Sequence, residues 1–143
     1  MEESLSLLTQ IKKEFNLGEV DLRTYSPLTL AFVGDCIYDL IIRTVVVERH
    51  NASPNRLHKE KSHLVKAQTQ AEMGTVLQQY LTEEERHKAG AECQVLYRPK
   101  CFRRGLPKAT ALEALYGYLY LDGRMERLME LVKISLRELD LAL

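Results

Sequence analysis

Two segments of this chain are apolar on nearly every side, and each of them carries a lone carboxylate. The first segment runs from Leu28 to Val47 and contains Asp35, and the second runs from Ala109 to Leu121 and contains Glu113. A helix that is apolar all round is usually buried, so both segments are expected inside a helical protein. A carboxylate buried there is destabilising unless it is paired with a cation or hydrogen-bonded.

Neither acid has an obvious partner in its own helix. Glu113 has no basic residue within four positions C-terminal to it, and none at i−3 or i−4. Asp35 has Ala31 and Asp39 as its neighbours one turn away, whereas Asp39 has Arg43 at i+4. Two lone acids on two buried helices suggest one shared hard metal ion. The structural alternative is a helical dimer in which both acids pair with arginines of other helices.

The composition is that of an ordinary folded protein with no global attraction to polyanions. Lys and Arg number 20 and Asp and Glu number 20, which gives a net charge of zero. Three cysteines without a CxxC pair indicate neither a disulfide framework nor a zinc site, and they favour a reducing cytoplasm. The charges of Asp35, Asp39 and Arg43 within the longest apolar stretch argue against a membrane span.

The strict alternation of a half-buried strand is absent, and helical periodicity runs through most of the sequence. The expected fold class is therefore all-α, in a single domain covering residues 1–143. The expected helices are Glu3–Phe15, Pro27–Arg49, Asn55–Tyr80 with a break near Lys66, a short helix after Thr82, Lys108–Leu121 and Met125–Leu139.

Capping residues and glycines mark the ends and the interior of these helices. Ser26 and Ser53 each precede a proline, which is the pattern of an N-cap followed by Pro at the first helical position. Thr82 and the glutamate three residues later have the spacing of a capping box. Gly34 and Gly117 lie inside helices, at a cost of about 1 kcal/mol relative to alanine. Close approach of another helix would compensate, and for Gly117 packing without a functional role is the expectation.

A basic segment precedes the Glu113 helix. It contains Arg98, Lys100, Arg103, Arg104 and Lys108 and no acidic residue. Such side chains could bind phosphates, as could lysines of the third helical region, although a solvated loop without a ligand is equally common. Motifs for serine hydrolases, zinc proteases and nucleotide-binding loops are absent, so metal-assisted phosphodiester chemistry remains.

Several segments resemble the catalytic domain of the ribonuclease III family. The run Leu30–Tyr38, with the sequence LAFVGDCIY, resembles the signature helix of that family. The run Leu112–Leu121, with the sequence LEALYGYLYL, resembles its second acidic helix. Asn55–Lys59 and Val65–Ala71 resemble the intervening helices, so the likeness extends over roughly Tyr25–Leu121.

Within the family, the chain is most similar to the Mini-ribonuclease III group, whose members lack a double-stranded-RNA-binding domain. The wider family has acids four residues before the signature aspartate and three before the second glutamate, where this chain has Ala31 and Thr110. Mini-ribonuclease III shares those small residues. The resemblance implies that Asp35 and Glu113 are the catalytic and metal-binding residues. They would hold Mg²⁺, with Mn²⁺ as a substitute, and water and substrate phosphate would complete the shell.

The resemblance also implies a homodimer built on the signature helix that cleaves double-stranded RNA in the cytoplasm. The implied substrate is the precursor of 23S ribosomal RNA, with a ribosomal protein as a further partner. The expected RNA-binding residues are Arg98, Lys100, Arg103, Arg104, Lys108, Lys59 and Lys66. The alternative is a non-catalytic RNA-binding or ribosome-associated protein on a degenerate domain, against which the retention of Asp35 and Glu113 weighs.

Overall fold

A computed structural model describes residues 6–90 and 108–141, and this part of the chain contains helices and no strand. The expectation of an all-α fold is confirmed. Short 3₁₀ turns cover Leu22–Thr24 and Gln78–Tyr80. The α-helices are α1 (Leu7–Glu14), α2 (Pro27–Arg49), α3 (Pro54–Val65), α4 (Ala67–Leu77), α5 (Glu83–Gly90), α6 (Lys108–Leu121) and α7 (Met125–Glu138).

The helices begin where the capping residues predict. The Ser26 hydroxyl accepts a hydrogen bond from the Thr29 amide at 3.2 Å, and the Ser53 hydroxyl accepts one from the Arg56 amide at 3.4 Å. The expected break is at Lys66, whose backbone is extended with φ −62° and ψ 144° between α3 and α4. Each of these features depends on residues close in sequence, which is why the sequence predicts them.

The helix α6 forms the centre of the molecule, with α2, α4, α5 and α7 packed around it. Every residue of Ala111–Tyr120 is buried except Glu113, which is half-buried. The Tyr38 ring of α2 stacks on the Tyr116 ring of α6, with the centroids 5.6 Å apart. The Tyr38 hydroxyl donates to the Leu64 carbonyl oxygen at 2.7 Å, so this side chain ties α3 to the α2–α6 pair.

Glu85 of α5 forms both a capping box with Thr82 and a buried ion pair that connects α5 to α7. In the expected capping box, the Glu85 side chain accepts from the Thr82 amide at 2.9 Å, and the Glu85 amide donates to the Thr82 hydroxyl at 3.1 Å. The Glu85 side chain is fully buried, and Arg127 of α7 donates to it from Nε at 2.8 Å and from Nη2 at 2.9 Å. Arg127 also donates to the Tyr80 carbonyl oxygen at 2.7 Å.

The expectation that α2 is buried on all sides is wrong. Only one side of the helix, which includes Leu30, Ala31 and Ile42, is buried against the rest of the chain. Asp35 lies on the other side and is exposed, so its expected burial is also wrong. Burial within one chain therefore accounts for the apolar residues on only one side of α2. No helix in the described residues is long and apolar enough to cross a membrane.

Candidate active site

The backbones of α2 and α6 are in contact where the two helices cross. A Cβ atom built on Gly34 would lie 1.7 Å from the Glu113 carbonyl oxygen, and one built on Gly117 would lie 1.9 Å from the Leu30 carbonyl oxygen. Only glycine, which has no Cβ, permits this approach at either position. The crossing therefore places Glu113 of α6 beside the Gly34–Asp35 pair of α2.

The two carboxylates lie within electrostatic reach of each other. Burial of the side chain, and then the negative charge of Asp35, raises the pKa of Glu113 to about 7. None of the ion pairs and hydrogen bonds among residues 6–90 and 108–141 gives either acid a basic partner. The alternative in which both acids pair with arginines therefore has no support in the described part of the chain.

Asp39, one turn after Asp35, is neutralised by two cations. It accepts from Arg43 at 2.7 Å, as the sequence predicts, and also from Lys61 of α3 at 2.9 Å. Burial raises the pKa of Asp39, but the hydrogen bonds and charges of Lys61 and Arg43 outweigh burial and lower it. The sequence carries no signal for the Lys61 contact, because its two residues are 22 positions apart.

The carboxylates present suit a hard divalent cation. Ala31 is buried and Thr110 is half-buried, and neither has a carboxylate to contribute. In the described ranges no group of three or more His, Cys, Asp or Glu side chains is arranged to hold a metal ion. Mg²⁺ commonly binds through one or two carboxylates and keeps several waters, whereas structural zinc sites need four protein ligands. The two carboxylates of Asp35 and Glu113 are therefore suitable in type and number as ligands of Mg²⁺.

The structure describes the side chains of only two of the expected RNA-binding residues. Lys59 is exposed on α3, and Lys66 is exposed at the junction of α3 and α4. Lys108 begins α6, but its side chain is not among those described. The remaining candidates also lie outside the described residues: Arg98, Lys100, Arg103 and Arg104. Their role stays a prediction.

An apolar stripe borders the acid pair on the outer side of α2. We define the α2 stripe as Leu28, Phe32, Cys36, Leu40 and Val47, all of which are exposed. The first four lie four residues apart and so follow one face of the helix. Phe32 is 87% exposed, which is unusual for a large aromatic side chain in a folded monomer.

Comparison with known proteins gives consistent matches over most of the chain. The family described as Ribonuclease III domain matches residues 28–124. The Mini-ribonuclease 3 of Thermoanaerobacter sp. strain X514 is 41% identical over 118 residues, which cover 80% of this chain and 83% of that protein.

Two further relatives carry the same name. The Mini-ribonuclease 3 of Clostridium tetani is 35% identical over 130 residues, covering 85% of this chain and 86% of the relative. That of Staphylococcus aureus strain NCTC 8325 is 34% identical over 122 residues, covering 82% and 91%.

The fold, the acid pair and these matches define an endoribonuclease, a hydrolase of phosphodiester bonds. The chain belongs to the ribonuclease III family, and the three relatives described above are Mini-ribonucleases 3. The resemblance found in the sequence is thereby confirmed.

Proposed function

We propose that this protein is a Mg²⁺-dependent endoribonuclease that cleaves double-stranded RNA as a homodimer. The observation that carries the proposal is the approach of Asp35 and Glu113 at the α2–α6 crossing, without a basic partner for either among the described residues. Two acids held close together without a counter-charge favour a bound cation, since burial and the negative charge of Asp35 raise the cost of ionising Glu113.

The two side chains have complementary environments for holding an ion. Asp35 is exposed and accessible to a substrate phosphate, whereas Glu113 is half-buried beside the core. When bound, Mg²⁺ acidifies a coordinated water and offsets negative charge at the phosphate. Glu113 must lose its proton before its oxygens can serve as ligands. In the hydrolysis, the oxygen of a water molecule forms a bond to phosphorus and the bond between phosphorus and the 3′-oxygen breaks. The 3′-oxygen takes up a proton, which leaves 5′-phosphate and 3′-hydroxyl ends.

The α2 stripe supports a homodimer. Its exposed apolar side chains would be covered if two copies packed α2 against α2 around a two-fold axis, because such an interface uses the same patch on both subunits. Asp35 lies between Phe32 and Cys36 in this helix, so each acid pair would lie at the edge of the interface. Two acid pairs in one dimer would allow both strands of a duplex to be cut.

Basic side chains would bind the backbone of the RNA. Double-stranded RNA is recognised mainly by its shape and by contacts to phosphates and 2′-hydroxyls, which suits lysines and arginines without base-specific partners. The proposed contacts are Lys59, Lys66, Arg98, Lys100, Arg103, Arg104 and Lys108. We further propose maturation of precursor 23S ribosomal RNA in the cytoplasm, with a ribosomal protein as partner, on the family resemblance alone.

A cleavage assay tests the proposal directly. A labelled perfect RNA duplex is incubated with Mg²⁺ and the wild type, Asp35→Asn or Glu113→Gln, and Mn²⁺ is tried as a substitute. Glu48→Gln is the matched control, because Glu48 is an exposed acid on α2 outside the acid pair. We expect the wild type and the control to cut the duplex, and both acid-pair variants to be folded and inactive.

The outcomes separate the enzyme from a degenerate binder. Cleavage that survives either acid-pair substitution would refute the assigned roles. Binding without cleavage by the wild type, over a range of Mg²⁺ and Mn²⁺ concentrations, would lead to a second assay with precursor 23S ribosomal RNA and ribosomal proteins. Failure to cut in that assay as well would favour the non-catalytic RNA-binding protein.

A further inference from the structure

We infer that Gly117, together with Gly34, sets the separation between Asp35 and Glu113, and that both glycines are positioning residues for the acid pair. The inference rests on the proposed function, because it concerns the cation that the pair would hold. It replaces the expectation from sequence that Gly117 serves packing alone.

The contacts of Gly34 connect it directly to the acid pair. A Cβ on Gly34 would meet the Glu113 carbonyl oxygen at 1.7 Å, the Glu113 carbonyl carbon at 2.6 Å and the Gly117 amide nitrogen at 2.8 Å. Glu113 is thus held against α2 by its own backbone, at the residue that precedes Asp35. A change in this contact would move one carboxylate relative to the other.

The contacts of Gly117 fix the same crossing from the opposite helix. A Cβ on Gly117 would meet the Leu30 carbonyl oxygen at 1.9 Å, the Leu30 carbonyl carbon at 2.8 Å and the Gly34 amide nitrogen at 3.1 Å. Leu30 lies one turn before Gly34, and Gly117 lies one turn after Glu113. The two glycines therefore form a pair of backbone contacts, one turn apart, that determine how closely α6 approaches α2.

An alanine at either position would increase the separation between the α2 and α6 backbones by more than a metal site tolerates. The atoms in the way belong to helix backbones, which cannot rotate aside as a flexible side chain can. A carbon–oxygen contact needs about 3.3 Å, so relief of either overlap requires a shift of roughly 1.5 Å. Functional groups at a site must be held within about 0.5 Å of their working geometry. The shift would pull Glu113 away from Asp35.

Two glycines away from the crossing provide a contrast. Neither Gly18 nor Gly123 has a heavy atom within 4 Å of where a Cβ would lie, and Gly123 has a φ of +75°. Gly18 is therefore the matched control, since an alanine there meets no neighbour. Val132, which is buried in α7, provides a second control, because Val132→Ala should lower stability from a helix that is neither α2 nor α6.

The test is the affinity of the full chain for Mn²⁺ without RNA, measured by electron paramagnetic resonance. The variants are Gly34→Ala and Gly117→Ala, with Gly18→Ala and Val132→Ala as controls and Asp35→Asn as the reference for a damaged site. We expect both crossing variants to remain helical by circular dichroism and to bind Mn²⁺ at least about ten-fold more weakly, as loss of supporting contacts at metal sites does. Val132→Ala should lower Tm and keep the wild-type affinity.

Three results would overturn the inference. The first is wild-type Mn²⁺ affinity in a folded crossing variant. The second is that Val132→Ala, with a Tm equal to that of a crossing variant, loses Mn²⁺ affinity to the same extent. The third is failure of both crossing variants to fold, which would make the glycines a requirement of the whole fold. Equal Mn²⁺ binding by the wild type and Asp35→Asn would instead refute the proposed metal site itself, so the two failures are distinguishable.

Discussion

Glu113 combines a half-buried side chain with a charged neighbour, and both features oppose its ionisation. Burial is the larger cause and Asp35 the smaller, and together they raise the pKa of Glu113 from 4.5 to about 7. At neutral pH the free chain therefore holds this carboxyl partly protonated. A divalent cation competes with that proton, so its affinity should increase as pH rises through 7.

We expect Glu113→Gln to stabilise the metal-free protein above pH 7. The unfolded carboxyl ionises near 4.5 and the folded one near 7, so the wild type loses stability as pH rises between these values. The full shift corresponds to about 3 kcal/mol, and solvent screening of a partly exposed group reduces this to roughly 1–2 kcal/mol. Urea unfolding in EDTA at about pH 4 and about pH 8 measures the difference.

The control for this substitution is Glu48→Gln, which replaces an exposed acid on α2. It should leave the free energy of unfolding within about 0.5 kcal/mol of the wild type at both pH values. A Glu113→Gln variant that is less stable than the wild type at pH 8 would contradict the prediction. That result would indicate that the carboxylate has a stabilising partner, as in the structural alternative.

The ion pair between Glu85 and Arg127 illustrates how two helices are joined through one buried charge. Burial raises the pKa of Glu85, but hydrogen bonds from Arg127 and from the Thr82 amide, with nearby positive charge, outweigh it and lower the pKa. The Glu85 side chain is fully buried, and the Arg127 side chain is 21% exposed. The positive charge of Arg127 compensates the cost of burying the ionised Glu85.

We expect Arg127→Met to destabilise the protein by about 3 kcal/mol, because it leaves an uncompensated buried charge. Since the pKa of Glu85 is lowered in the folded state, its contribution is present above the unfolded pKa and is lost as pH falls through the folded pKa. The difference between variant and wild type should therefore shrink in acid. Chemical unfolding at about pH 7 and about pH 3 measures both effects.

Arg137→Met is the matched control, because Arg137 lies on the same helix with 69% of its side chain exposed and only a 3.7 Å pair with Glu138. Its effect should stay below about 0.5 kcal/mol. Adding Glu85→Gln to Arg127→Met should recover part of the lost stability, since it removes the unpaired charge. An equal effect of the two arginine substitutions would show that the buried pair has no special role.

The helices were predictable where their ends depend on neighbouring residues. Ser26 and Ser53 cap α2 and α3, and α6 covers the expected Lys108–Leu121. What the sequence could not predict depends on residues far apart along the chain. The exposure of Asp35 and its approach to Glu113 both follow from how α2 packs on α6, and helical periodicity does not specify that packing.

The outer surface of α2 carries large apolar side chains that are exposed to solvent. The α2 stripe exposes Phe32 at 87% and Leu28 at 64% of their surface, while the opposite side of the same helix is buried. One chain therefore buries only half of a segment that is apolar on both sides. Coverage of the α2 stripe by a second copy, as proposed, would account for the other half. Extended exposed apolar patches are typical of surfaces that bind another protein, a membrane or a ligand, and the proposed homodimer would cover this one with a second copy.

We expect Phe32→Glu to prevent formation of the proposed dimer, because it would place a charge from each subunit in the proposed apolar interface. Sedimentation velocity measures the change in mass at micromolar concentration. Met129→Glu is the control, since Met129 is an exposed apolar residue on α7, at 39% exposure, and lies outside the α2 stripe. A wild type that sediments as a monomer, or a Phe32→Glu variant that remains dimeric, would refute the proposed interface.

Binding to RNA should depend on the charge of Lys59 on α3 and of Lys66 at the junction of α3 and α4. We expect Lys59→Ala with Lys66→Ala to weaken binding to duplex RNA of any sequence, and to reduce the slope of log affinity against log salt by about one for each lost phosphate contact. Fluorescence anisotropy in Ca²⁺, between about 50 and 200 mM salt, measures the slope without cleavage. Lys133→Ala, an exposed lysine on α7, should leave it unchanged. If the slope of the double variant equals that of the wild type, Lys59 and Lys66 do not contact the RNA backbone. Basic residues elsewhere must then position the duplex against Asp35 and Glu113.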